Sequence, residues 1–377
     1  MNNAVVVIGA GSAGLAAASA LQRRGIDVIV LERGPSVAMS WRTRHDRLRL
    51  NTVRQTSGLP AFRIPRTAGR WVARDAYVAY LEEFASARRV DVRSGVDVVR
   101  VDVGHDDGDR WLVHTASETI PTSHVIVATG HDRIPWTPTW PGTSDFAPNV
   151  RHVAEVVRPA DFSGQRVLIV GGGNSGIDMA GHLLDAGVGE LWLSTRTPPN
   201  ILPGELHHVP LQLVALAGRG LPERVRDGLA RAFQRYAFGD LAAYGLPAPA
   251  NGPYRHLRET GVTVAIDQGF VAHLKAGRAR VVAEVDHLDR SEVVLRDGTR
   301  LRPDVVLAAT GYRTGLAPIV GHLGVLDAHG RPRAVAGSRS DPPGLHFIGF
   351  RPAIEGNLRQ HPGEARRITR LIRANLR

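Results

Sequence analysis

Hydrophobic positions along this chain come in short runs that end in glycine. Ala4 to Ile8 is a β-branched run that stops at Gly9, which predicts a strand delivering the chain to a turn. Ala13 to Arg24 has helix-forming composition until Gly25, and Ile26 to Leu31 is apolar again. Strand, glycine turn, helix and strand make one β-α-β unit at the start of the chain. The pattern returns in the middle: a predicted strand at Arg166 to Val170, a turn at Gly171 to Gly176, a helix at Ile177 to Ala186, a stop at Gly187 and a strand at Glu190 to Ser194. Further strands are predicted at Val98 to Val101, His124 to Val127, Arg280 to Val285 and Val305 to Ala308. Two of these run into glycine turns, Ala128-Thr129-Gly130 and Ala309-Thr310-Gly311. Pro198 to Pro249 reads as a helical insertion punctuated by proline, either a substrate-facing wall or lid or a packing element.

The two glycine turns carry the chemistry. Gly9-Ala10-Gly11-Ser12-Ala13-Gly14 and Gly171-Gly172-Gly173-Asn174-Ser175-Gly176 have the same spacing. The first glycine allows the tight turn, the second lets backbone approach a pyrophosphate, and the third lets the helix pack on the strand. The helix N-terminus then offers free N–H groups and a favourable dipole to the phosphates. Each turn follows a predicted strand and opens a helix, so two dinucleotide sites are expected. The strand ends differ. Glu32, followed by Arg33, ends the first unit, and a carboxylate there accepts ribose hydroxyls and repels a 2′-phosphate, so that site suits FAD or NAD. Ser194, Thr195 and Arg196 end the second, where arginine can pair with a 2′-phosphate and the hydroxyls can bond it, so that site suits NADPH. Arg196 as a plain solvated residue is the competing reading.

Composition narrows this picture. The 377 residues suit two or three domains, and 43% hydrophobic with 22% charged residues are globular proportions. The chain has no cysteine, which removes a disulfide, a redox-active Cys-x-x-Cys pair and a thiolate metal site. The formal charge is +11, but the basic residues, all arginine except Lys275, are scattered, so nucleic acid is not an expected partner. Ala4 to Leu21 is apolar, yet its glycines and its lack of a positive leader favour strand, turn and helix over a membrane segment. A cytoplasmic location is the default expectation. The adjacent pair His207-His208 reads as solvated rather than metal-binding, and no metal is expected.

Several stretches resemble the flavin-containing monooxygenases, and within them the plant YUCCA branch and its bacterial relatives. Arg47 to Thr52 with Gly58-Leu59-Pro60 resembles the flavin-proximal segment, and Val170 to Asp178 the NADPH loop. Gly239-Asp240-Leu241 through Tyr244-Gly245-Leu246-Pro247 is similar to a segment typical of that branch, and Asp304 to Tyr312 to the second linker. The family's F-x-G-x-x-x-H-x-x-x-Y/F motif is incomplete: Phe146 and His152 are in place, while Pro148 replaces the glycine and Val156 the aromatic. His152 either links the domains or packs beneath the NADPH loop, with the structural role favoured.

The resemblance implies an α/β protein of two Rossmann-like domains in a glutathione-reductase-like arrangement. Residues 1–157 with 312–377 would hold FAD, and 158–311 would hold NADPH and carry the insertion at about 200–250. It implies FAD contacts at Gly9, Gly11, Ser12, Ala13, Gly14, Glu32, Arg33, Trp41, Arg42, Leu48, Asn51, Thr52, Val99, Ala128, Thr129, Gly130, Thr310, Gly311 and Gln360. NADPH would meet Gly171, Gly173, Asn174, Ser175, Gly176, Thr195 and Arg196. Trp41 is also readable as plain core. Asn51 matches the position facing the reactive flavin edge, where a neutral amide bonds without supplying an acid; a bland turn asparagine is the alternative. The implied reaction is a class B monooxygenation through a C4a-hydroperoxyflavin. The expected partners are dioxygen and a small molecule: a soft nitrogen or sulfur centre, a ketone, or a 2-oxo acid such as indole-3-pyruvate. A homodimer stays open. Two rivals are an NADPH-dependent flavin oxidoreductase without oxygen transfer and a flavin-binding redox sensor.

Overall fold

Two five-stranded parallel sheets organise the chain in the computed structural model, which describes residues 4–104, 110–334, 338 and 342–375. The outer limits of the expected first domain, residues 1 and 377, lie outside that range. The first sheet runs in the order Leu345–Phe347, Val125–Val127, Val5–Ile8, Val28–Glu32, Val92–Ser94. The second runs Asn149–His152, Val305–Ala308, Arg166–Val170, Glu190–Ser194, Arg280–Val282. Parallel sheets are covered on both faces, so their strands read as unbroken apolar runs rather than alternating ones.

Each sheet separates two cores. In the first, Val5 and Val7 face Leu15, Leu81 and Ile368 of the helices Ser12–Gln22, Arg74–Ala87 and His361–Asn375. Val6 and Ile8 face the other way, onto Val101, Trp111 and Val113 of a small antiparallel sheet. The second sheet repeats the plan. Val167 and Ile169 meet the helix Asn174–Asp185, and Leu168 meets Val285, Val293 and Leu301 of another antiparallel sheet. A two-stranded crossing, Ile134–Pro135 against Tyr312–Arg313, joins the modules.

The predicted strands at Arg166–Val170, Glu190–Ser194 and Val305–Ala308 form with those bounds. Other readings need correction. Arg280 to Val285 is not one strand: Arg280–Val282 extends the parallel sheet, and Val285–Asp289 turns into the antiparallel one. Asn149–His152 pairs with Val305–Ala308, so it sits in the second sheet although it falls inside the expected 1–157 segment. The insertion closes later than Pro249, because Ile201–Pro203 pairs with Ala265–Asp267 at its base.

Candidate functional site

The two glycine turns are built alike. Gly9 has φ +108° and Gly171 φ +118°, backbone that a side chain rarely adopts. A Cβ on Gly9 would lie 2.8 Å from the Ala128 carbonyl oxygen, and on Gly171 2.5 Å from that of Ala309. A Cβ on Gly14 would lie 1.8 Å from the Gly9 oxygen, and on Gly176 2.0 Å from the Gly171 oxygen. The middle glycines differ from these: Gly173 meets nothing within 4 Å, and Gly11 only Ser40 Oγ at 4.0 Å. First and third glycines are therefore required by the fold, and the middle ones leave room for a ligand at a helix N-terminus.

The strand ends show what each turn can recognise. Glu32 accepts N–H bonds from Ala10 and Gly34, both at 2.8 Å, which fixes its carboxylate beside the first turn. Lone pairs remain on both oxygens for ribose hydroxyls. Arg33 is exposed. The chain returns past Glu32 at Val96, whose N–H bonds the Glu32 carbonyl at 2.9 Å. Val99 instead projects from the antiparallel strand and is 47% exposed, so Val96, not Val99, is the residue hydrogen-bonded beside Glu32. At the second turn Arg196 is exposed and makes no hydrogen bond or ion pair to a described residue. Thr195 donates its hydroxyl to Thr197. Ser194 is buried and donates to the Ala283 carbonyl, so that hydroxyl is committed to the core. Asn174 Oδ1 accepts the Ile266 N–H at 2.9 Å, which ties the loop to the base of the insertion, while Ser175 is exposed.

The other expected residues have different tasks within the fold. Ser12, Ala13 and Ala128 are buried, and Ser12 Oγ lies 3.2 Å from His361 Nδ1 at the head of the C-terminal helix. Burial holds His361 down to a pKa of about 4. Gln360 closes a short turn ahead of that helix: its N–H bonds Asn357 and its side chain the Arg351 carbonyl. Trp41 is half-buried and edge-on to Tyr77 at 4.9 Å. Arg42 donates to the Val37 carbonyl and pairs with Glu82. Leu48 accepts the Arg74 N–H through its carbonyl. Thr52 is buried against Ser57 Oγ at 2.7 Å, and Thr129 Oγ1 is buried without a partner. Gly130 turns at φ +76°. Thr310 donates to the Trp136 carbonyl, and Gly311 accepts from Trp136 N and His152 Nε2, so these two serve the crossing between modules.

His152 caps a short turn and also reaches the crossing between the modules, where its ring lies edge-on to Tyr312 at 4.9 Å. Its Nδ1 accepts the Ala154 N–H and Glu155 returns a bond to its backbone, a reciprocal cap. Burial lowers its pKa. His207 meets the Tyr236 hydroxyl at 3.0 Å, and His208 is fully in solvent.

Asn51 lies exposed on the strand Arg49–Val53, between buried Leu50 and Thr52. It lines a cleft whose other walls come mainly from the insertion: Leu202, Leu211, Leu229, Phe233, Val264 and Ile266. Two polar residues that motif reading missed position these walls. Buried Gln212 accepts the Val53 N–H at 2.8 Å and donates to the Glu355 carbonyl at 2.6 Å, pinning insertion, Asn51 strand and C-terminal segment together. Asp227 accepts the N–H groups of Tyr254 and Arg255, so the helix Glu223–Phe238 caps the helix Pro253–Thr260 and sets Tyr254 at the cleft. The insertion is thus a wall of the cleft.

A third unread feature clasps the modules. His45 Nε2 lies 3.2 Å from Asp178 Oδ2, and His182 Nε2 lies 3.5 Å from Asp178 Oδ1. Burial alone would raise the Asp178 pKa, but the nearby His182 and His45 rings outweigh it and hold it at about 2. The three donors lie within 4.8 Å of one another, a spacing a metal ion could also use, where the sequence reading expects none.

Comparisons with known proteins agree with this geometry. A family model described as pyridine nucleotide-disulphide oxidoreductase matches residues 6–198. The chain is 33% identical over 314 residues to indole-3-pyruvate monooxygenase YUCCA1 of Oryza sativa subsp. japonica, covering 82% of this chain and 77% of that one. It is 31% identical to indole-3-pyruvate monooxygenase YUCCA6 of Arabidopsis thaliana, over 82% of this chain and 76% of that one. Among solved structures, a flavin-containing monooxygenase from Stenotrophomonas maltophilia superposes with a TM-score of 0.74 at 24% identity over 99% of both chains. The OTEMO complex with FAD and NADP superposes with a TM-score of 0.76 at 16% identity, over 98% of this chain and 84% of that one. These two likenesses speak to the fold. Among the described residues no helix is long and apolar enough to cross a membrane. From the family match and the relatives together, the chain belongs to the class B flavin-dependent monooxygenases, within the pyridine nucleotide-disulphide oxidoreductase family.

Proposed function

We propose that the chain is an FAD- and NADPH-dependent monooxygenase acting on a small, largely apolar 2-oxo acid, with indole-3-pyruvate as the named candidate. The observation that carries this reading is the cleft: Asn51, on the flavin-proximal strand, shares it with the apolar wall of the insertion. The relatives named as indole-3-pyruvate monooxygenases support the substrate class.

The residues present fit both cofactors. Open space at Gly11 with the fixed Glu32 carboxylate suits the pyrophosphate and ribose of FAD. Open space at Gly173 with exposed Arg196 suits NADPH. When bound, FAD supplies hydride acceptance from NADPH and activation of dioxygen. The chain's own tasks are binding, orientation and exclusion of water. Gly171, Gly173, Ser175 and Gly176 present the helix N-terminus to the NADPH pyrophosphate, and Arg196 with Thr195 meets the 2′-phosphate. Asn51 offers a neutral amide that orients a bound group without donating an acidic proton. The aliphatic and aromatic walls keep water from the reacting centre. In balance, a 2-oxo acid, dioxygen and NADPH with a proton give the shorter acid, carbon dioxide, NADP+ and water. One oxygen atom enters the acid, and the other leaves as water with the two electrons of NADPH.

The test is turnover of holoenzyme with NADPH, indole-3-pyruvate and isotopically labelled dioxygen. One labelled atom in the shorter acid, with product matching NADPH consumed, is the expected result. Hydrogen peroxide matching NADPH, with no label in any organic product, would overturn it in favour of an oxidoreductase without oxygen transfer.

A further inference from the structure

Among the described residues that line the largely apolar cleft, Arg226 is the cation. Arg226 lies on the inner side of the insertion helix, its side chain only 24% exposed. Its guanidinium carbon sits 4.2 Å from the centre of the Tyr254 ring, which Asp227 has set in place by capping the helix Pro253–Thr260. Its Nε is buried with no hydrogen-bond partner. The acid that reaches it is Glu355, at 4.0 Å, and Glu355 also faces Arg219 at 3.8 Å. Two guanidinium groups therefore share one carboxylate that bonds neither closely. The Arg226 guanidinium is thus incompletely paired against apolar walls, which is costly for an ion so little exposed.

We infer that Arg226, stacked on Tyr254, is a carboxylate subsite of the cleft, and that Glu355 is a resident counter-ion which an anionic ligand replaces. A guanidinium offers a planar fork that matches a carboxylate, and the tyrosine face holds that plane without supplying an acceptor as strong as a carboxylate. Leu229, Phe233 and Ile266 take the apolar body of the ligand, and Asn51 closes the same cleft. The ligand class is a monoanion with a compact hydrophobic body. The inference rests on this cleft being the substrate site, and it adds the residue that would separate acids from neutral molecules of the same shape.

The experiment is calorimetric binding to oxidised holoenzyme, without NADPH, using indole-3-propionate and its primary amide. Neither probe has an oxo group to react, so the readout is independent of whether the protein oxygenates anything. The acid should bind about ten- to hundred-fold more tightly than the amide, the range for a charged hydrogen bond. Arg226→Gln should bring the acid down to the amide's affinity, and Arg226→Lys should restore part of the difference. Glu355→Gln, by removing the competing carboxylate, should tighten the acid several-fold and leave the amide unchanged; a purely structural Arg226–Glu355 pair would not do this. Equal binding of acid and amide by the unaltered protein overturns the proposal, as does unchanged acid binding in a folded, flavin-containing Arg226→Gln variant. If that variant does not fold, the acid-to-amide ratio and Glu355→Gln decide the matter.

Discussion

The two glycine turns share a backbone and differ in what surrounds them. At the first, Ser12 is buried, His361 of the C-terminal helix sits on it, and Glu32 is locked by two N–H groups. At the second, Ser175 and Arg196 are exposed, and Arg196 bonds to no described residue. An enclosed turn suits a cofactor that stays through many cycles, and an open one suits a partner that arrives and leaves. The same local fold is thus enclosed in one place and open in the other, and a segment far away in sequence, the C-terminal helix with His361, does the enclosing.

The largest effect should separate fold from binding within a single turn. Gly14→Ala places a Cβ 1.8 Å from the Gly9 carbonyl oxygen. Backbone has to move, and we expect about 3 kcal/mol or more of lost stability in urea unfolding, with flavin lost too. Gly11→Ala points into open space and should change apoprotein stability by about 1 kcal/mol or less while still abolishing retained flavin. The equivalent change at the second turn, Gly173→Ala, should keep flavin bound and raise only the KM for NADPH. Flavin absorbance per protein, measured beside unfolding, checks all three; equal flavin loss in Gly11→Ala and Gly173→Ala would erase the distinction between the turns.

Next in size is the exchange of recognition at the strand ends. Arg196→Glu should raise the KM for NADPH by about 100-fold with little change in kcat, and narrow the preference over NADH. It touches no internal bond, so thermal unfolding should not move. A KM rise equal for NADPH and NADH would mean that Arg196 does not read the 2′-phosphate. Asn51→Ala is expected to act on coupling rather than on either cofactor: product per NADPH should fall about tenfold, the weight of one neutral hydrogen bond, with peroxide making up the difference. Assays of NADPH, peroxide and product in one sample check this, and unchanged coupling would return Asn51 to a plain strand position.

The turns were legible because their physics is local. Ten or eleven consecutive residues hold strand, glycine spacing and helix start, and the strands at Arg166–Val170, Glu190–Ser194 and Val305–Ala308 have the bounds the sequence predicts. What stayed hidden depends on partners far away in sequence. Gln212 looks like any polar residue at the start of a helix until it is seen bonding Val53 and Glu355. His45 and Asp178 lie 133 positions apart, so nothing in either neighbourhood announces the clasp. Arg280 to Val285 reads as one strand because an apolar run has no mark where it passes from one sheet to another; Val282 and Val285 look alike and pair in different sheets. Ser194 was given to the phosphate by position, while its hydroxyl serves Ala283 in the core.

The smallest effect concerns pH, and it too divides the modules. The first sheet buries His124 and His346, stacked at 5.7 Å, and burial lowers each to about 4. His361 behaves likewise. For these groups the folded pKa lies below the unfolded value of about 6.5. Between those limits the unfolded chain binds protons that the folded one refuses, so stability is full above about pH 6.5 and falls as pH drops toward 4, by about 1.4 kcal/mol per pH unit for each histidine. Asp178 in the second module has a lower window: its lowered pKa contributes stability that is present above the unfolded aspartate value and is lost only as pH falls toward 2. Burial lowers His152 in the second sheet too, but the first module carries His124, His346 and His361, so mild acid should loosen the first module more. Hydrogen exchange at pH 5 against pH 7 should show faster opening in residues 125–127 and 345–347 than in 166–170 and 190–194. His346→Phe should remove one histidine's share of the slope, because a ring of similar size fills the site without a proton to bind. An unchanged slope in that variant, or earlier opening of the second sheet, would show that the acid sensitivity is set elsewhere.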